Sequence, residues 1–126
     1  IDIMEDQVGC ENTGGTMRLG AYECVIKPNT KLAKCYGADV ASVMERHRHR
    51  YEFNNAMREP MQAAGLTLGG ISPDGNLVES VEITDKLFYL GVQYHPEFKS
   101  RPAKPQAIFR EFIAAAKTYG ENRKKK

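Results

Sequence analysis

The spacing of apolar residues predicts short strands and helices along the first half of the chain. From Thr16 to Lys27 apolar and polar residues alternate loosely, which is typical of a strand. Lys31 to Tyr36 is long enough for a short helical turn that Gly37 ends. Pro60 disfavours a helix interior, so the next helix is predicted to begin near Glu59 and to end at Gly65.

The second half begins with a predicted hairpin. Two apolar segments, Leu66–Ile71 and Leu77–Ile83, flank Ser72–Asn76, where Pro and Gly favour a turn. The mostly apolar segment Leu87–Tyr94 predicts a buried strand.

The last helix has the clearest pattern. Pro105 suits its first turn and Gly120 is predicted to end it. One face of this amphipathic helix carries Ile108, Phe109, Phe112, Ile113 and Ala116.

Three parts are predicted from these patterns. Residues 1–15 lack periodicity and are expected to continue from a missing upstream part. Residues 16–120 mix strands with helices, which predicts an α/β domain or a portion of one. Residues 121–126 form a basic, solvated tail.

Composition excludes several classes of protein. The 126 residues suffice for one domain, and the net charge is only +2, with four basic residues in the tail. A nucleic-acid-binding protein is therefore not expected. No apolar run could span a bilayer, and an odd number of cysteines, three, favours a reducing, cytoplasmic setting.

His95-Pro96-Glu97 is the first candidate for chemistry. Residues i and i+2 of an extended backbone point to the same side, so the imidazole and the carboxylate can meet. A carboxylate on one ring nitrogen fixes the tautomer and leaves the other nitrogen for proton transfer. The alternative is a histidine at a strand end that merely pairs with a surface glutamate.

The second candidate is the alternating segment from Glu45 to Glu52. An extended backbone would place Arg46, Arg48 and Arg50 on one side and the histidines on the other. Arginine binds carboxylates bidentately, which suits an anionic ligand. A metal site would need ligands that this segment lacks. A solvated charged segment and a weak phosphate or nucleic-acid patch remain alternatives.

The cysteines offer no convincing nucleophile. Cys24 lies in a predicted strand, Cys35 is expected to pack, and acidic Glu11 beside Cys10 would raise the pKa of its thiol. All three are predicted to be structural.

Three segments in this order resemble the C-terminal part of the CTP synthase family, within its class I (triad) glutaminase domain. The resemblance extends from about residue 14 to about residue 118. It rests on Gly14–Gly20, on Glu45–Glu52 with Asn54-Asn55, and on Gln93–Phe98 with Ser100-Arg101-Pro102.

The resemblance implies a partial class I glutamine amidotransferase fold, flavodoxin-like, and a Cys-His-Glu triad. The cysteine would attack the amide of L-glutamine, and the released ammonia would pass to the synthase domain of the same protein, which converts ATP-activated UTP to CTP. By position, His95 resembles the base, Glu97 its orienting carboxylate, and Arg50 the arginine that holds glutamine by its α-carboxylate.

Cofactors and assembly also follow from the resemblance. No cofactor is expected in this chain, whereas the full enzyme would use ATP and Mg²⁺, respond to GTP as an effector, and form a homotetramer.

The chain departs from the family in one respect. The family's nucleophile lies in a Gly-x-Cys-x-Gly turn, and the 126 residues contain none. The isolated chain is therefore predicted to be inactive. Because apolar surface would be left exposed, it is expected either to associate with itself or a partner, or to rearrange its terminus. The alternative is a non-catalytic regulatory or binding module with an amidotransferase-like fold, in which Arg50 still binds an amino acid.

Overall fold

The computed structural model describes residues 1–3 and 17–125. Its strands are β1 Asp2–Ile3, β2 Arg18–Ile26, β3 Ser42–His49, β4 Tyr51–Glu52, β5 Thr67–Ile71, β6 Val78–Glu82 and β7 Leu90–Val92. Its helices are α1 Lys31–Tyr36, α2 Arg58–Ala63 and α3 Ala107–Lys124, with 3₁₀ turns at Asn55–Met57 and Pro96–Lys99.

Five strands form one sheet in the order β3-β2-β5-β6-β7, and β1 pairs with β4 separately. Every pairing between the strands of the described residues is antiparallel. The register of β2 against β3 places Arg18 opposite His49 at one end and Val25 opposite Ser42 at the other. The mixture of strands and helices confirms the predicted α/β class.

Local signals explain the elements that the sequence predicted correctly. The Thr30 side chain accepts a hydrogen bond from the Ala33 N–H, and Gly37 ends α1 with a positive φ. The hairpin of β5 and β6 turns at Gly75, whose φ of 79° favours glycine. The strand expected over residues 16–27 is confirmed as β2, and the helix expected near Glu59 begins at Arg58.

The apolar core is assembled from β2, α1, α3 and the residue Tyr94. Helix α1 contacts β5 and so covers the sheet, and α3 contacts α1 and adds Ile108 to the core. The buried members are Cys24, Ile26, Leu32, Ala33, Cys35, Tyr94 and Ile108.

Two expectations for the C-terminal third are wrong. The predicted buried strand Leu87–Tyr94 contains only the three-residue β7, which is half-buried because it has β6 alone as a neighbour. Leu87 and Tyr89 are exposed. Gly120 does not end the last helix, since α3 continues to Lys124 and takes in the first residues of the predicted tail.

The amphipathic face of α3 is only partly covered. Ile108 is buried, whereas Phe112 and Ile113 are 53% and 65% exposed. No helix within residues 1–3 and 17–125 combines the length and apolar character that crossing a bilayer requires.

Candidate active site

His95 lies just past the end of β7, where the chain leaves the sheet. Its backbone N–H donates a hydrogen bond to the Arg46 carbonyl oxygen at 2.9 Å, which ties this turn to β3. Pro96 then begins the 3₁₀ turn, a position that suits proline because no partner is needed for its missing N–H. The backbone therefore places His95 beside the arginine-rich strand.

The side chains of His95 and Glu97 are in contact, as the sequence predicted. His95 Nδ1 lies 2.6 Å from Glu97 Oε1. The predicted route was wrong, because Glu97 lies in the 3₁₀ turn rather than on an extended backbone. Phe98 stacks on the imidazole with ring centroids 5.2 Å apart, which further restricts the ring.

This contact sets the protonation pattern of the pair. A hydrogen bond with its own backbone, and then the contact with His95, hold the pKa of the Glu97 carboxyl below its usual value. An ionised Glu97 accepts the Nδ1 hydrogen of His95, so Nε2 is the ring nitrogen left to exchange a proton with a reactant. Both side chains are partly exposed, at 40% for His95 and 52% for Glu97.

The alternation predicted for the arginine-rich segment is confirmed within β3. Arg46 and Arg48 are exposed, whereas Glu45 and His47 are buried on the opposite face. Arg50 departs from this row, since it lies in the bend between β3 and β4 and is half-buried. Arg50 thus differs from Arg46 and Arg48 both in its position along the backbone and in its burial.

Arg50 follows the strand to which the His95 turn is bonded. Arg46, whose carbonyl holds His95, is four positions before Arg50, which is at most about 14 Å along the chain. The structure thus joins His95 to Glu97 and bonds the His95 turn to β3, the strand that Arg50 follows.

The sequence predictions missed the buried carboxylates of the sheet, among them Glu45, Glu79 and Glu82. Glu45 accepts hydrogen bonds from Tyr36 Oη at 2.9 Å and Gln106 Nε2 at 3.1 Å. Glu79 and Glu82 both lie on β6, where burial on both faces breaks the usual alternation. Polar residues within an otherwise apolar predicted strand were the available signal.

Cys24 and Cys35 are buried free thiols, as predicted. Burial, and secondarily nearby glutamates, raise the pKa of Cys24 to about 12 and that of Cys35 to about 11. Cys10 lies outside the described residues. Within the described part of the chain, no group of three His, Cys, Asp or Glu residues is placed to bind a metal ion.

A family model and several CTP synthases match this chain. The family described as "Glutamine amidotransferase class-I" matches residues 5–115. The CTP synthase of Herpetosiphon aurantiacus is 54% identical over 116 residues, and that of Rubrobacter xylanophilus is 57% identical over 115 residues. These matches cover 92% and 91% of this chain but 21% and 20% of the relatives, so the chain spans about a fifth of their length.

A solved structure shows the same fold. The glutaminase domain of Trypanosoma brucei CTP synthase, solved with bound acivicin, matches with a TM-score of 0.78 and 37% identity. The match covers 87% of this chain and 44% of that chain. The predicted class I amidotransferase fold is therefore confirmed.

Proposed function

Because the chain belongs to the class I glutamine amidotransferase family, we propose that it supplies the base, the orienting carboxylate and the substrate arginine of a CTP synthase glutaminase site. The contact between His95 Nδ1 and Glu97 Oε1 at 2.6 Å carries this proposal. In an exposed turn beside an arginine-rich strand, this pair is open to a nucleophile and to a substrate.

His95 would act as the general base. Its Nε2 takes the proton of a cysteine thiol, and the thiolate attacks the side-chain amide carbon of glutamine. The resulting imidazolium, stabilised by Glu97, returns the proton to the departing nitrogen, and ammonia leaves a thioester behind. Water then hydrolyses the thioester to glutamate with the same base.

Arg50 would hold the substrate. Its guanidinium can bind the α-carboxylate of glutamine with two parallel hydrogen bonds, which exposed Arg46 and Arg48 are less suited to do because water screens them. The position in the bend, half-buried, supports this assignment.

The nucleophile would come from sequence outside these 126 residues, which contain no Gly-x-Cys-x-Gly. We therefore expect the isolated chain to release no ammonia from L-glutamine. In the whole protein we expect a synthase domain that uses ATP and Mg²⁺ to aminate UTP, GTP as an effector, and a cytoplasmic homotetramer.

A chimaera tests the proposal. This chain would replace the matched 115 residues of the Rubrobacter xylanophilus relative, and CTP formation would be measured with glutamine or with free ammonia. We expect glutamine-dependent synthesis, which His95→Ala lowers by about 100-fold or more because a general base is lost. Ammonia-dependent synthesis should be unchanged, which shows that the synthase domain is intact.

Arg50→Ala should raise the KM for glutamine by about tenfold to a hundredfold, the loss expected for charge-assisted hydrogen bonds. Arg48→Ala is the matched control, since Arg48 is an exposed arginine two residues away. Equal loss of glutamine-dependent and ammonia-dependent synthesis in His95→Ala would contradict the base assignment. Glutamine binding by a chimaera that never releases ammonia would favour the non-catalytic binding module.

A further inference from the structure

The His95 turn is bound at both of its ends to β3. Strand β3 ends the five-stranded sheet, so its edge away from β2 has no strand beside it among the described residues. The Arg46 carbonyl oxygen accepts from the His95 N–H at 2.9 Å, and the Met44 carbonyl oxygen accepts from Lys99 Nζ at 2.5 Å. Carbonyls two residues apart on a strand point to the same side. One edge of β3 therefore binds the start and the end of the turn.

The turn has little of its own to hold it in place. It spans the four residues Pro96–Lys99, of which only Pro96 is buried. Its internal backbone hydrogen bonds, donated by the N–H groups of Phe98 and Ser100, are both 3.2 Å long, at the weak end of the normal range. A short 3₁₀ turn has poor hydrogen-bond geometry in any case. The position of His95 therefore depends on contacts with the rest of the protein.

A buried carboxylate lies beside Lys99. The Glu45 side chain is 1% exposed, and its Oε1 lies 3.9 Å from Lys99 Nζ. Its Oε2 is buried without a hydrogen-bond partner among the described residues. A carboxylate removed from water is costly unless a positive charge lies near it, so Glu45 attracts the Lys99 ammonium toward the sheet. This attraction and the hydrogen bond to Met44 act on the same atom, Lys99 Nζ.

Glu45 is also connected to the residue before His95. Tyr36 Oη donates to Glu45 Oε1 at 2.9 Å, which uses its single hydroxyl hydrogen. Tyr94 Oη, 3.1 Å from Tyr36 Oη, is therefore the donor in the contact between the two tyrosines. Tyr94 is buried and directly precedes His95. Glu45 thus holds one side of the turn through the two tyrosines and the other side through Lys99.

We propose that Glu45 and Lys99 are positioning residues that fix the turn on the edge of β3 and thereby hold the imidazole of His95 where it acts as a base. The inference rests on the proposed function of His95. The backbone bond to Arg46 restrains only the start of the turn, and the contacts of Lys99 restrain its end. Displacement of a reacting group by about 1 Å can lower a rate by about 100-fold. The contacts of Lys99 should therefore affect turnover rather than substrate binding.

Lys99→Met in the chimaera tests this role. Methionine keeps most of the apolar stem of lysine but has neither its charge nor its donor. We expect kcat for glutamine-dependent synthesis to fall by about tenfold and the KM for glutamine to change by less than about twofold, because proton transfer is impaired and not binding. Lys99→Arg keeps a charged donor and should restore most of kcat.

Lys104→Met is the matched control, since Lys104 is an exposed lysine five residues further along the chain. It removes the same charge and should leave kcat and KM as in the unmodified chimaera. Ammonia-dependent synthesis should be unchanged in all three lysine variants.

Glu45→Gln tests whether the buried charge acts through Lys99. The glutamine oxygen can take the place of Oε1 and accept from Tyr36 and Gln106, while its NH₂ group takes the place of the unpartnered Oε2. The loss of charge should lower kcat by about threefold, and adding it to Lys99→Met should cause no further loss. Losses that multiply in the double variant would show that Glu45 does not act through Lys99.

Hydrogen exchange gives a readout that does not depend on catalysis. Mass spectrometry would follow peptides of the chimaera that contain residues 94–100. Lys99→Met should make these peptides exchange about tenfold faster, because the turn opens more often, whereas Lys104→Met should not. Peptides from β5 and β6 should exchange at the same rate in every lysine variant, since the change is local.

The outcomes separate this inference from the proposed function. If His95→Ala leaves glutamine-dependent synthesis unchanged, the proposed function of His95 fails, and hydrogen exchange then decides whether Lys99 holds the turn. Unchanged exchange in Lys99→Met overturns the inference, and so does faster exchange with an unchanged kcat in an active chimaera. A higher KM with an unchanged kcat also overturns it, because Lys99 would then act on substrate binding.

Discussion

Glu82 connects the sheet to α1, and its replacement by glutamine should destabilise the domain. This side chain on β6 is completely buried. Its Oε1 accepts from the Lys31 N–H at 2.8 Å and its Oε2 from the Leu32 N–H at 3.2 Å. Those N–H groups belong to the first turn of α1 and have no partner within the helix. Glu82 therefore caps a six-residue helix that could not persist alone.

The cost of Glu82→Gln follows from these two bonds. Glutamine keeps one oxygen, but its NH₂ group would face an N–H donor, so one charge-assisted hydrogen bond is lost. Together with the lost attraction between the carboxylate and the helix N-terminus, we expect a decrease of about 2–4 kcal/mol in the free energy of unfolding. With ordinary denaturant slopes this lowers the urea midpoint by about 1–2 M.

Urea unfolding followed by circular dichroism measures this shift. Glu23→Gln is the matched control, because Glu23 is exposed on β2, and it should change stability by less than about 0.5 kcal/mol. Weakening of α1 should also make Cys35 react faster with thiol reagents. An unchanged midpoint together with unchanged Cys35 reactivity would show that Glu82 does not hold α1.

Three further predictions concern packing and surfaces. Gly70→Ala would place a Cβ 2.6 Å from Cys24 Sγ, so it should lower the free energy of unfolding in urea by about 1–3 kcal/mol. Adding Cys24→Ala should recover part of this loss. An unchanged urea midpoint for the single variant would contradict the clash. Because burial raises the pKa of Cys24 and Cys35, both thiols remain protonated at pH 8. Thiol reagents should therefore label them slowly in the native chain and rapidly in urea. Rapid labelling of the native chain, located by peptide-resolved mass spectrometry, would refute this. Exposed Phe112 and Ile113 should drive association of the isolated chain. Replacing both residues with serine should reduce this association. Light scattering that finds the unmodified chain monomeric at high concentration would contradict the prediction.

The accuracy of the sequence predictions depended on how local each signal is. The turn at Ser72–Asn76 and the short helix ended by Gly37 depend on residues within a few positions, so the sequence predicted both. The pairing of His95 with Glu97 is local as well, although the 3₁₀ turn that produces it was not foreseen. The role proposed for Arg50 came from the resemblance of the chain to a family rather than from periodicity.

The failures concern burial, which distant parts of the chain determine. The strand expected over Leu87–Tyr94 is short and half-buried because the sheet gives it a single neighbour. The apolar face of α3 was predicted correctly, but its pattern could not indicate how little of it the described residues cover. Periodicity identifies which face is apolar, and only the packed structure shows what lies against it.

The sequence by itself determined the α/β class, the hairpin, the bounds of α1, and the local pair of His95 and Glu97. The tertiary structure alone decided which polar residues are buried together. Arg18 meets Glu79 across 61 positions, and Lys31 meets Glu82 across 51. Such contacts form because the folded sheet brings unpaired donors and acceptors together, away from water, where each must find a partner. Nothing within a few residues of Glu79 or Glu82 specifies that partner, so these contacts became apparent only in the fold.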